Sequence, residues 1–173
     1  MICRGFLAIL LLLLSCPVTA LAEPVKTAVF GFEFFDDTMD ARPDIVAAQK
    51  IWLAHANAEL LAMVVASGEM TPVDLAPLAS RITELAPFYK CNGCEEDLAR
   101  AAGAQLEVLG VVRKVSNLIL SFSLQVREVA TPARVLRAGQ VEIRGNTEES
   151  WLRGVRYLMK NRILAPGQAP LAP

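Results

Sequence analysis

Histidine is nearly absent: the 173 residues hold one, His55. With no second histidine and no serine or cysteine close to it in sequence, it supports neither a nucleophile–base triad nor a histidine-rich metal centre. His55 therefore reads as a packed or surface imidazole. Glycines do not cluster either; Gly31 and Gly103 stand alone, so no phosphate-cradling loop is formed. An excess of one charge is also missing. Seventeen basic residues face eighteen acidic ones, a balance that argues against nucleic acid as a partner. Beyond the N-terminus no apolar run approaches the roughly twenty residues of a bilayer-spanning helix.

What is present begins with an export signal. Arg4 supplies a positive start, residues 6–14 an apolar stretch of about ten residues, and Ala20-Leu21-Ala22 a small-x-small cleavage site. Cleavage there leaves 151 residues, the size of one domain with a real core. Leu13-Leu14-Ser15-Cys16 offers a second reading as a lipobox, in which lipidation of Cys16 would tether the protein to a membrane. The expected organisation is a signal peptide over 1–22, one α/β domain over 23–164, and a disordered tail over 165–173, where three prolines and no charge occur.

Within the domain the apolar pattern switches period. Residues 27–34 form a continuous apolar, β-branched and aromatic run, as for a strand buried on both faces. Residues 44–67 contain no Gly or Pro, and Leu53, Ala56, Leu60 and Val64 recur at helical spacing, with Gly68 as the stop. A short strand over 71–75, at an edge because Pro72 lacks a donor, precedes short helices over 77–85 and 95–102. Strands over 107–115, 118–129 and 134–143 then form an antiparallel meander. In the middle one Leu120, Phe122, Leu124 and Val126 alternate with Ser121, Ser123, Gln125 and Arg127, which predicts one buried and one wet face. Asn146 and Glu149 read as a capping box for a last helix over 147–163, which places Trp151, Val155 and Leu158 on one face. The fold class is α/β: a mixed sheet of about five strands, parallel in its N-terminal part, packed by a long helix and a C-terminal helix.

Charge divides unevenly, with a net −8 over residues 23–97 and +6 over 98–173. Two halves that lie together and neutralise one another explain this; a dipolar surface that orients a partner is the alternative.

Three constellations could carry function. Cys91-Asn92-Gly93-Cys94 begins a helix, where the dipole lowers a thiolate pKa, but Glu95, Glu96 and Asp97 oppose that, and an oxidising compartment favours a resting disulfide. Closing so short a loop is worth about 2 kcal/mol. Redox exchange remains an alternative, a zinc site would need two more ligands, and Glu95 stands where haem attachment requires histidine. Asp36, Asp37, Asp40 and Asp44 could offer oxygen atoms to a hard cation, without the spacing of an EF-hand; a solvated loop explains them equally. Arg144-Gly145-Asn146 with Trp151 reads either as a strand-to-helix turn anchored by the indole or as a recognition surface.

The element order, with Val29-Phe30-Gly31-Phe32 followed by Asp36-Asp37-Thr38, resembles the small α/β domain of the TolB amino-terminal region, the curli secretion lipoprotein and the penicillin-binding-protein activator lipoproteins. Val73-Asp74-Leu75, Cys91-Asn92-Gly93-Cys94-Glu95, Gly103-Ala104, the segment 110–116 and Arg144-Gly145-Asn146-Thr147-Glu148-Glu149-Ser150-Trp151 are similar to a family of small secreted bacterial proteins known as a domain of unknown function. That resemblance spans nearly the whole domain. It implies an accessory role in bacteria that oxidise alcohols with periplasmic quinoprotein dehydrogenases, and it assigns no catalytic residue.

The expectation is a non-enzymatic periplasmic binding or accessory protein without a cofactor. Its partner would be an envelope or periplasmic protein, met through the wet face of the meander or the acidic loop. A thiol–disulfide protein using Cys91 and Cys94 and a hard-metal binder using the loop from Asp36 to Asp44 are the alternatives.

Overall fold

The computed structural model describes residues 23–91, 93–131 and 134–171. The expected signal peptide and Cys16 lie outside the described residues. Five strands form one sheet in the order β2-β1-β3-β4-β5. The strands are β1 (Val25–Asp36), β2 (Met70–Pro72), β3 (Leu106–Ser116), β4 (Ile119–Glu128) and β5 (Val135–Arg144). β1 runs parallel to both β2 and β3, and β3, β4 and β5 are antiparallel neighbours. The expected mixed sheet is therefore present, with β2 at an edge. Two long connections explain the parallel part, since a parallel partner cannot be reached by a tight turn.

The α-helices among the described residues are α1 (Pro43–Ser67), α2 (Ala79–Leu85), α3 (Cys94–Ala101) and α4 (Glu148–Leu158). The last continues through one wider turn over Met159–Ile163. α1 and α4 lie side by side on one face and bury Leu60, Val64, Val155 and Leu158 against Val108, Phe122 and Leu124. α3 packs on the opposite face, where Ala99 meets Ala28, and the Phe88 ring stands edge-on to Phe30 at 5.1 Å. In β4, Leu120, Phe122, Leu124 and Val126 are buried as the alternation predicts, but the other face is exposed only at Gln125: Ser121 is buried, and Ser123 and Arg127 are half-buried, the latter paired with Glu95 of α3. Among the described residues no helix is long and apolar enough to cross a membrane.

A bulge in β1 decides which residues reach the α1 face. The register slips between Val29 and Gly31, so the inward positions change from Thr27 and Val29 to Phe32, Phe34 and Asp36. Gly31 holds φ +86°, and a Cβ there would sit 2.8 Å from Asn57 Oδ1. That amide closes the bulge from α1: Asn57 Oδ1 accepts from Phe32 N at 2.6 Å and Nδ2 donates to Phe32 O at 3.2 Å. Asp36 is thereby aimed at the space below the start of α1.

One local expectation is corrected. Thr147 caps α4, with Ser150 in a reciprocal capping box, because the free oxygen of Asn146 is already engaged by the indole of Trp151. Residues 165–171 lie alongside β5. The buried Arg137 guanidinium donates to Ala169 O at 2.7 Å, to Ile163 O at 2.9 Å and to Glu69 Oε2 at 2.7 Å, and Leu171 is buried beside it. Tail composition alone does not reveal this cationic anchor.

Candidate functional site

Alternation along β3 puts Lys114 on the same face as Leu106, Val108 and Val112, so its side chain enters the core and is fully buried. A buried ammonium must find counter-charges. Lys114 Nζ lies 3.0 Å from Asp36 Oδ2 and 3.4 Å from Asp40 Oδ2. Arg42 grips Asp40 from outside at 2.7 Å, and Arg113 Nε lies 2.5 Å from Asp37 Oδ2. Burial pushes the Asp36 carboxyl up, but the Thr38 hydroxyl and the Lys114 ammonium outweigh it and hold it below the usual carboxylate value. Asp40 is held far lower, chiefly by its hydrogen bond from Arg42.

The acidic loop is thus a set of closed ion pairs. Its carboxylates face a protein cation where a hard metal would have to sit, and Asp44 stands apart, exposed in the first turn of α1. Lys114→Met is expected to lower unfolding stability by about 2 kcal/mol in urea titration. That lies below the usual cost of breaking a buried pair because Asp36 and Asp40 keep partial contact with water. Adding Asp36→Asn should restore part of the loss.

Above this cluster a cavity of about 470 Å³ opens between the end of β1 and the first turns of α1. Phe34, Val46 and Leu53 form apolar walls, Met39 stands at the mouth, and Gln49 and Lys50 come from α1. Met39 holds a left-handed backbone, φ 51°, and is 86% exposed. Gln49 is 2% exposed.

The outer side of α1 forms a second surface. Ala47, Ile51, Ala54, Ala58, Leu61 and Val65 follow one another at spacings of four and three residues, and all are exposed. Ile51, Leu61 and Val65 keep 54%, 43% and 58% of their surface. The inner stripe at Ala56, Leu60 and Val64 is the one expected; the outer stripe was not foreseen, although the four-three spacing is legible in the sequence.

Cys91 and Cys94 are joined by a disulfide, with Cα atoms 5.9 Å apart. Their sulfurs and a Glu95 oxygen lie within 4.8 Å of one another. The sulfurs are bonded to each other, however, and the buried Glu95 is paired with Arg127. That leaves no ready thiolate ligand for a metal.

Trp151 is fully buried among Phe34, Trp52 and Phe122, and its Nε1 donates to Asn146 Oδ1 at 3.0 Å. Arg144 remains exposed, and its carbonyl accepts from Arg153 at 3.0 Å. The three residues of the expected recognition surface therefore do not share one face. His55 is exposed, with Nδ1 2.5 Å from Glu148 Oε1. The uneven charge is resolved by pairing across the halves: Asp36, Asp37, Glu59, Glu69 and Glu95 meet Lys114, Arg113, Arg156, Arg137 and Arg127.

The family model DUF3280, described as "Protein of unknown function (DUF2380)", matches residues 25–163. The chain belongs to this family. No curated protein matches it. Among solved structures, the LpoB C-terminal domain from Escherichia coli is similar at 15% identity and a TM-score of 0.50, over 72% of this chain and 85% of that one. The PelC dodecamer from Paraburkholderia phytofirmans matches at 14% identity and a TM-score of 0.48, over 81% and 89%. A lipoprotein from Neisseria meningitidis matches at 12% and 0.42, over 71% and 82%. At such identities the likeness is one of fold. The likeness to the LpoB domain agrees with the fold-level resemblance to penicillin-binding-protein activator lipoproteins drawn from the sequence, and family membership agrees with the resemblance drawn from the motifs.

Proposed function

We propose that this protein is an exported, non-enzymatic accessory module that uses the outer face of α1 to bind an envelope protein. The observation that carries the reading is the outer stripe of α1: six apolar residues in a four-three repeat along one side of a 25-residue helix. A soluble helix ordinarily turns a polar face to water, and an exposed apolar patch rimmed by polar groups marks an interaction surface. The partner that fits is a protein offering an apolar helix or groove, since Ala54 and Ala58 at the centre admit close backbone approach and Ile51, Leu61 and Val65 supply the larger knobs. The export signal read at the N-terminus supports the compartment. The ion pairs that close the acidic loop support binding over chemistry, because those carboxylates are already committed.

A photo-crosslinking residue at position 58, in the protein expressed in its own host, tests this. The expected result is one defined protein adduct, identified by mass spectrometry and reproduced with the purified partner. It should disappear with Leu61→Glu and be missing when the crosslinker stands at position 81 on α2. Adducts with lipid alone, or only with a second copy of the chain, would overturn the reading.

A further inference from the structure

The cavity under Met39 contains a polar group that packing leaves without a role. Gln49 occupies an inward position one turn before Leu53, in the row that continues through Ala56, Leu60 and Val64. Its amide nitrogen Nε2 is buried and has no hydrogen-bond partner. A buried amide donor without an acceptor is costly, and an apolar side chain at this helical position would continue the stripe without that cost. Gln49 lines a space whose volume falls within the range of small-molecule sites. The site also lies just beyond the carboxyl end of a parallel strand, where open α/β sheets present ligands.

The surroundings define the class of ligand. Phe34, Val46 and Leu53 give apolar contact, and the flexible thioether of Met39 can adapt to an occupant at the mouth. The nearby charges balance: Asp36, Asp40 and Asp44 against Lys114, Arg42 and Lys50. Asp36 and Asp40 are already turned to Lys114 and Arg42, so a charged ligand would meet no buried counter-ion. A neutral molecule fits better. We propose that the cavity binds a small uncharged compound with an aliphatic body and one carbonyl or hydroxyl oxygen. The body lies against Phe34, Val46 and Leu53, and the oxygen accepts a hydrogen bond from Gln49 Nε2. This site is separate from the outer face of α1, so its test does not depend on the partner proposed above.

Heptan-2-one and heptanoate are the probes, titrated into the isotopically labelled chain as its host processes it. The readouts are the Gln49 side-chain NH₂ pair and the methyl groups of Val46 and Leu53 by NMR. The expected result is saturable shifts at all three with the ketone and binding at least about ten-fold weaker with the carboxylate. Gln49→Leu should weaken the ketone about five-fold without lowering Tm, and Val46→Trp, at the exposed mouth, should abolish binding. Lack of saturable shifts at Val46 and Leu53, equal ketone affinity in Gln49→Leu, or preference for heptanoate would each overturn the proposal.

Discussion

Trp151→Ala is expected to lower the stability of the folded protein by about 4 kcal/mol, read as a shift of the urea midpoint at unchanged slope. The indole is fully buried. Its ring centre lies 5.2 Å from Phe34, 6.1 Å from Phe122 and 6.3 Å from Trp52, so it joins β1, β4, α1 and α4 in one aromatic cluster. Collapse around the vacancy is hindered on the Phe122 side. Gly154, the next turn of α4, already lets that ring in so closely that a Cβ would lie 2.7 Å from Phe122 Cε2. The lost indole donor adds less, because Asn146 is half-exposed and can turn to water. Trp151→Phe should therefore keep most of the stability. A recognition tryptophan on the surface would give a loss below about 0.5 kcal/mol on truncation. A midpoint unmoved by Trp151→Ala would exclude the core position.

The contrast between the two readings of Trp151 shows what periodicity can and cannot decide. The inward side of α1, the alternation in β4 and the edge position of β2 follow from spacing and from one proline, and all three were legible. So was the burial of Lys114 in principle, since it continues the inward row from Leu106, yet a lysine in such a row is easily read as the strand's exposed end. The bulge at Gly31 was not legible. It changes the facing of Phe32, Phe34 and Asp36 through a contact with Asn57 on another element, and strand alternation carries no record of that. The same limit applies to the acidic loop. Four aspartates in nine residues look like a cation site until Lys114, Arg113 and Arg42 are placed among them, two of them from a strand some seventy residues away in sequence. Gln49 is the opposite case. A glutamine in an otherwise apolar helical row was visible in the sequence, but its meaning needed the cavity beside it.

Glu107 gives the strongest expected dependence on pH. It faces the α3 side of β3, is fully buried, and pairs in register with Arg127 on β4. Arg127 Nε lies 2.8 Å from its Oε1, but the N–H is not aligned for a hydrogen bond, and another nitrogen of the same guanidinium is taken by Glu95. Burial pushes the Glu107 carboxyl up to about 7; Arg127 opposes this, and the Glu95 and Glu96 carboxylates reinforce it. Between the unfolded value, near 4.5, and about 7 the folded protein holds a proton that the unfolded chain has released. Stability from this group is therefore complete below that window and is lost as pH rises through it, by about 3 kcal/mol. Asp36 and Asp40 act in the other direction: their depressed values contribute above the unfolded carboxylate range and are lost on acidification. The two trends place the maximum near pH 5. Urea titrations at pH 5 and pH 8 should show the parent protein less stable at the higher pH, while Glu107→Gln, which needs no proton to stay neutral and leaves Arg127 with Glu95, should lose far less and be the more stable of the two at pH 8. If parent and variant respond alike, Glu107 is ionised against Arg127 throughout, and the guanidinium, not burial, sets its charge.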